Sequence, residues 1–174
     1  MQQTRIERKR DMGVNNMEEW EQEVDSINWK SMLKEIDEAL LDNLAVEIGF
    51  RTFAQLEEVS ELVVDDYYIC HLSDGRWVWW NPKEYTTKDP KFFNNVAEAK
   101  QFISDFLQLD QEKLRQLEEG LAQVRQTKKC RYCEYEFDHE DQKLKNFQLA
   151  QQGFCSEECA VEMQKARVKE EVNW

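Results

Sequence analysis

Asp66 to Leu72 (DYYICHL) and Arg76 to Trp80 (RWVWW) are two runs of β-branched and aromatic residues separated by Ser73-Asp74-Gly75. Val, Ile, Tyr and Trp fit the pleated surface of a strand, and Gly75 supplies the positive φ of a tight turn. The two runs therefore predict a β-hairpin. Asn81-Pro82 ends it, and Phe92-Phe93 is a candidate short third strand.

Outside this hairpin the pattern is helical. From Trp29 the apolar residues recur through Leu33, Ile36, Leu40 and Leu44 to Ile48, and stop at Gly49. That spacing predicts one long amphipathic helix. Thr52 to Gln55 fits a capping box that opens a short helix through about Glu61. Asn95 with Glu98 caps another, with Val96, Phe102, Ile103, Phe106 and Leu107 inward. Asp110 starts a further helix with the narrow seam Leu114, Leu117, Leu121, Val124. Among 174 residues there are five Gly and two Pro, too few for a turn-rich all-β chain. No run approaches the roughly 18 apolar residues of a membrane span, and Met1 to Arg10 lacks the apolar stretch of a secretory signal. The expectation is a cytoplasmic protein.

Formal charge is −13, and its distribution carries information. Residues 1–10 hold a net +3, residues 11–120 a net −15, and residues 121–174 a net −1. A surface with the sign of the central block repels phosphate backbones and attracts basic partners. Basic character survives in the N-terminal arm and in Arg125, Lys128, Lys129 and Arg131, which are candidate contacts to nucleic acid or to a partner. The same cluster is also readable as a solvated helix end, its cations favourably placed near a C-terminal dipole. Eight aromatics lie between Tyr67 and Phe93. A sheet face of such rings can stack bases, but a small hairpin must bury one face against helices, which makes core the stronger reading. Strand alternation with Trp77 and Trp79 inward leaves Trp80 outward, a candidate anchor for a protein partner.

Four of the five cysteines form two close pairs, Cys130-x-x-Cys133 and Cys155-x-x-x-Cys159. Zinc takes four soft ligands at tetrahedral corners, and each short pair places two sulfurs on one side of an ion. With no secretion signal and an odd cysteine count, reduced thiols and one structural Zn²⁺ are favoured over disulfides. Tyr135 and Phe137 alternate with acids as a strand does, and a second strand is expected from about Phe147 to Phe154. Ser156 is a good N-cap, so Glu157 onward should be helix with Cys159 in its first turn. A knuckle, a hairpin and a ligand-bearing helix make a treble clef. The fold class expected for the chain is thus α+β: a mainly helical acidic body with an aromatic-rich β-hairpin, plus a C-terminal treble-clef zinc finger.

The run Cys130-x-x-Cys133-x-x-x-Phe137 followed by Phe154-Cys155-Ser156-x-x-Cys159 resembles the FCS type of treble-clef finger. Its relatives include MYM-type and TRASH-like fingers, small bacterial gyrase-inhibitor zinc proteins and a zinc-bearing protein of the large ribosomal subunit. The resemblance covers about residues 128–170; residues 1–127 resemble no family. Such fingers carry Gly after the second knuckle cysteine, where this chain has Glu134, which must accept or avoid a left-handed turn. Members bind proteins, rRNA or DNA enzymes, so the resemblance implies a scaffold and leaves the partner open.

Enzymatic readings are weak on chemical grounds. Four thiolates leave zinc no open position at which to activate water. Asp138-His139 with Asn146 superficially matches an HNH nuclease, but the acidic Asp138, Glu140, Asp141 run reads more simply as a solvated tip. Cys70 and His71 are adjacent strand residues and point to opposite faces, so they do not form a nucleophile pair. The expected organisation is a basic arm over 1–16, an acidic α+β domain over 17–110, a linker helix over 111–127 and the finger over 128–174. The expected function is a non-enzymatic zinc-binding adaptor that docks on a larger nucleic-acid-handling machine with a basic surface. The alternative is an acidic inhibitor that mimics nucleic acid in a basic cleft. A direct nucleic-acid-binding regulator comes third.

Overall fold

The computed structural model describes residues 28–84, 88–140 and 147–172. Contact density separates residues 1–38 from residues 39–174. In the first unit the described residues belong to helix α1 (Trp29–Ile48), whose start is steadied by a Lys34–Glu38 ion pair and where Trp29, Leu33 and Ile36 are exposed.

In the second unit, Leu44, Ala45 and Ile48 of α1 are buried, and Gly49 turns the chain into α2 (Phe53–Val59). The Thr52 hydroxyl accepts from the Gln55 N–H, which is one half of the predicted capping box; the other half does not form, since among the described residues Gln55 Oε1 is buried without a hydrogen-bond partner. The sheet that follows is a four-stranded antiparallel meander, β1 (Glu61–Val64), β2 (Tyr67–His71), β3 (Trp77–Trp80) and β4 (Lys91–Phe93), in chain order. Both predicted hairpin strands and the third strand are present; β1 is an addition. The hairpin pairs Tyr68 with Trp80, Ile69 with Trp79, Cys70 with Val78 and His71 with Trp77, and Gly75 closes it at φ +89°. Helices α3 (Val96–Leu107) and α4 (Gln111–Gln123) follow, each capped as predicted: the Asn95 side chain accepts from the Glu98 N–H and the Asp110 carboxylate from the Lys113 N–H.

The sheet is covered on both faces. Tyr67, Ile69, Trp77, Trp79 and Phe93 pack with Ala99 and Ile103 of α3 and Leu117 and Leu121 of α4. The alternate residues Cys70, Leu72, Val78 and Trp80 pack with Leu44, Ala45 and Ile48 of α1, Phe50 and Leu56 of α2. This arrangement corrects two sequence expectations. Residues 111–123 are not a linker: α4 lies so close to β1 that a Cβ on Gly120 would meet Val63 Cγ1 at 2.8 Å. Trp80 is not an outward anchor either. It is 2% exposed, meets Phe53 edge-on, stacks on Tyr68 and donates its indole N–H to Ser60 Oγ at 3.2 Å. The alternation itself holds, but the second face is roofed by α1 and α2, so an inward and an outward Trp are both core.

After α4 the chain runs beside β2, the Thr127 N–H donating to the His71 carbonyl, and enters β5 (Lys128–Lys129). This pairs antiparallel with β6 (Glu136–Phe137). The strand predicted over 147–154 is instead helix α5 (Phe147–Gln151), and α6 (Glu157–Val172) begins where the Ser156 cap predicts. The 147–151 residues bury Ala150 beside Phe137 and Phe154, a contact that one helical turn makes and an extended strand would not. Among the described residues no helix is long and apolar enough to cross a membrane.

Candidate metal centre

Cys130 and Cys133 lie in the knuckle between β5 and β6. The Cys130 N–H donates to the Tyr135 carbonyl at 2.9 Å, and the Glu134 N–H to the Cys130 carbonyl at 3.0 Å. Glu134 takes the left-handed turn, at φ 62°, where the resemblance implies glycine. The second pair is set by the start of α6: Ser156 Oγ accepts from the Cys159 N–H at 3.2 Å, so Cys159 projects from the first helical turn. The Arg131 N–H donates to the Gly153 carbonyl at 2.9 Å and draws the two pairs together.

The four Sγ atoms all lie within 4.8 Å of one another. Cys133 and Cys155 are 3.6 Å apart and Cys155 and Cys159 3.5 Å, close to the roughly 3.8 Å that tetrahedral Zn–S bonds of about 2.3 Å require. All four ligands expected from sequence converge, and they suit one zinc ion. The thiol chemistry points the same way. Burial raises the Cys130 pKa, but backbone N–H groups of Cys133, Cys155 and Tyr132 outweigh it and bring the thiol to about 7. Burial raises Cys133 and Cys155, and hydrogen bonding and repulsion from the Cys130 thiolate push them further up. One thiolate therefore forms readily and opposes the others, a set that a dication stabilises.

Around the cluster, the cations differ in what they meet. Arg125 is itself exposed but is tied to Asp138, whose side chain is buried, so Asp138 is not the solvated group the sequence suggests and the Arg125 charge is already met. Arg131 lies over the Phe154 ring, its guanidinium 5.6 Å from the centroid. Lys128 and Lys129 are exposed, and among the described residues neither they nor Arg131 is in an ion pair.

One residue the sequence does not single out holds the cysteine module to the sheet. Glu136, 2% exposed, accepts from the Ser73 hydroxyl at 2.5 Å, the Ser73 N–H at 3.2 Å and the Thr127 hydroxyl at 2.6 Å, while its own N–H donates to the Gly49 carbonyl at 2.9 Å. The alternation of acids with Tyr135 and Phe137 reads as a solvated strand edge. Ser73 is 63 residues away, so no local signal marks the contact.

The residues weighed for enzymatic chemistry lie as follows. Cys70 is fully buried, its thiol pushed up to about 12 by burial. His71 stacks on Trp77 at 4.4 Å, and burial lowers its pKa. His139 is buried and likewise lowered by burial, and Asn146 lies outside the described residues. The basic arm over 1–16 also lies outside them.

No protein-family model, no curated protein and no solved structure matches the chain.

Proposed function

We propose that the chain is a non-enzymatic zinc-binding adaptor that docks on a larger nucleic-acid-handling machine through its cysteine module. The observation that carries this reading is a groove beside the cysteine module that gathers three cations. In a chain of net charge −13, Lys128, Lys129 and Arg131 line one groove of about 470 Å³ with Ser73, Thr127 and His139, three cations against the single carboxylate Glu140 among the described residues. Such a groove suits phosphate, while the acidic block discourages binding elsewhere. A site of four thiolates fits a structural role, because it leaves no coordination position for water. The order of knuckle, connecting segment and ligand-bearing helix supports the resemblance to FCS-type fingers, whose members serve as docking scaffolds.

The test is binding of the full chain to single- and double-stranded RNA and DNA across a salt series. The expected result is weak binding with a steep salt slope, lost in the Lys128→Ala, Lys129→Ala, Arg131→Ala variant. Binding unaffected by those substitutions would place the contact elsewhere. No binding even at low salt would turn the reading to an acidic protein that occupies a basic cleft.

A further inference from the structure

The aromatics of the hairpin region enclose a second cavity that shares no residue with the cysteine module. Its volume is about 380 Å³, and its lining includes Tyr67, Trp79, Phe102, Phe106, Glu84 and Lys88. Tyr67 stacks on Trp79 with centroids 4.2 Å apart, and Phe102 and Phe106 meet Trp79 edge-on at 5.9 and 5.6 Å. Glu84 stands at the mouth and accepts from the Tyr67 hydroxyl at 2.9 Å.

The cavity is fitted with a cation from its own chain. The Lys88 ammonium is 5.5 Å from the Phe106 centroid and 2.6 Å from Glu84 Oε2, so it meets a ring face and a carboxylate together. Ring faces carry negative potential and attract cations, and a carboxylate beside them adds a charge partner. Yet Lys88 holds this place loosely. Its side chain is 52% exposed and Phe106 is 48% exposed, and an exposed ion pair contributes little. A nucleotide would find rings to stack on, but Glu84 and Asp89 balance Lys88 and Lys91 in the lining, and the Lys88 ammonium is already held by Glu84, so no net positive charge is left for its phosphate.

We propose that this aromatic cavity takes a lysine or arginine side chain from a basic segment of a partner protein, in the place that Lys88 occupies. Lys88 is then a stand-in that leaves when the partner arrives. The chain's net charge of −13 draws such a segment in. The inference stands apart from the cysteine module, and either reading can fail alone.

The experiment is calorimetric titration of the full chain with tetralysine at low ionic strength, each variant first checked for native circular dichroism. Lys88→Ala should bind about fivefold more tightly, the size of one cation–π contact. Phe106→Leu, which keeps the apolar bulk and removes the ring face, and Glu84→Gln should each bind more weakly by a similar factor. Lys113→Ala removes the same charge from a pair with Asp65 elsewhere on the surface and should leave binding roughly unchanged. Equal tightening in Lys88→Ala and Lys113→Ala would reduce the effect to net charge and overturn the proposal. So would binding that is indifferent to Phe106→Leu, or no binding of tetralysine by Lys88→Ala.

Discussion

The sheet body and the cysteine module differ in what holds them together. The body packs rings and branched side chains on both faces of four strands, with Trp77 and Trp79 on one side, Val78 and Trp80 on the other, and helices over each. The module's buried cluster is Phe137, Phe154, Ala150 and Ala160 with Cys130 and Cys159. So small a core supplies little burial energy, and the four converging cysteines offer a metal crosslink that would make up for it. Burial drives folding where apolar area is large, and coordination takes over where it is not.

Removing the metal gives the largest expected effect and tests that division directly. Zinc in small cysteine sites contributes on the order of 10 kcal/mol, so chelation, or Cys159→Ala, should unfold the module. The sheet, which contains no ligand cysteine, should keep its tryptophan near-UV signal. Metal analysis of the native chain should give one zinc, and loss of the sheet signal on chelation would show that the two regions fold as one. Next comes the body's own core: Trp80→Ala should cost about 3–5 kcal/mol, as truncation of a buried aromatic does. It should leave zinc content unchanged.

The link between the regions sharpens the comparison further. Glu136→Ala strands the Ser73 N–H and hydroxyl, leaves the Thr127 hydroxyl only the His71 carbonyl, and should cost about 2–4 kcal/mol. Glu136→Gln, which keeps an acceptor for one or two of them, should lose less. Calorimetry of Glu136→Ala should resolve two transitions where the native chain shows one; a single transition would mean that other contacts carry the coupling. The smallest effect is Gly120→Ala. Overpacking against Val63 costs about 1–3 kcal/mol and helix propensity returns up to about 1 kcal/mol. A net loss of about 1 kcal/mol should appear in denaturant melts, whereas a gain would show that α4 shifts freely away from β1.

Much of this was legible in local sequence. Thr52, Asn95, Asp110 and Ser156 sit where a side-chain oxygen meets an unpaired helix N–H, and each accepts from the N–H three residues on, although the Gln55 half of the Thr52 box does not form. Tight cysteine spacing marked the four ligands, because each pair lies within a single turn. The misreadings were all questions of partners distant in sequence. The 147–154 segment has residues acceptable to either strand or helix, and its packing against Phe137 selects the helix. Asp138 reads as part of a solvated acidic tip, yet its side chain is buried against Arg125, and nothing local marks that Glu136 is buried on Ser73 and Thr127.

The sequence by itself determined the starts of α2, α3, α4 and α6, the hairpin, the α+β class and the cysteine set, because each rests on turn chemistry, capping or periodicity within a few residues. Tertiary structure decided which faces of the sheet are covered, that the 111–123 helix belongs to the body, that Trp80 is core, and that Glu136 fastens the module to the hairpin turn. Those outcomes depend on which surfaces meet across tens of residues. Period-two alternation assigns a side chain to a face, and only the packed helices decide whether that face meets water.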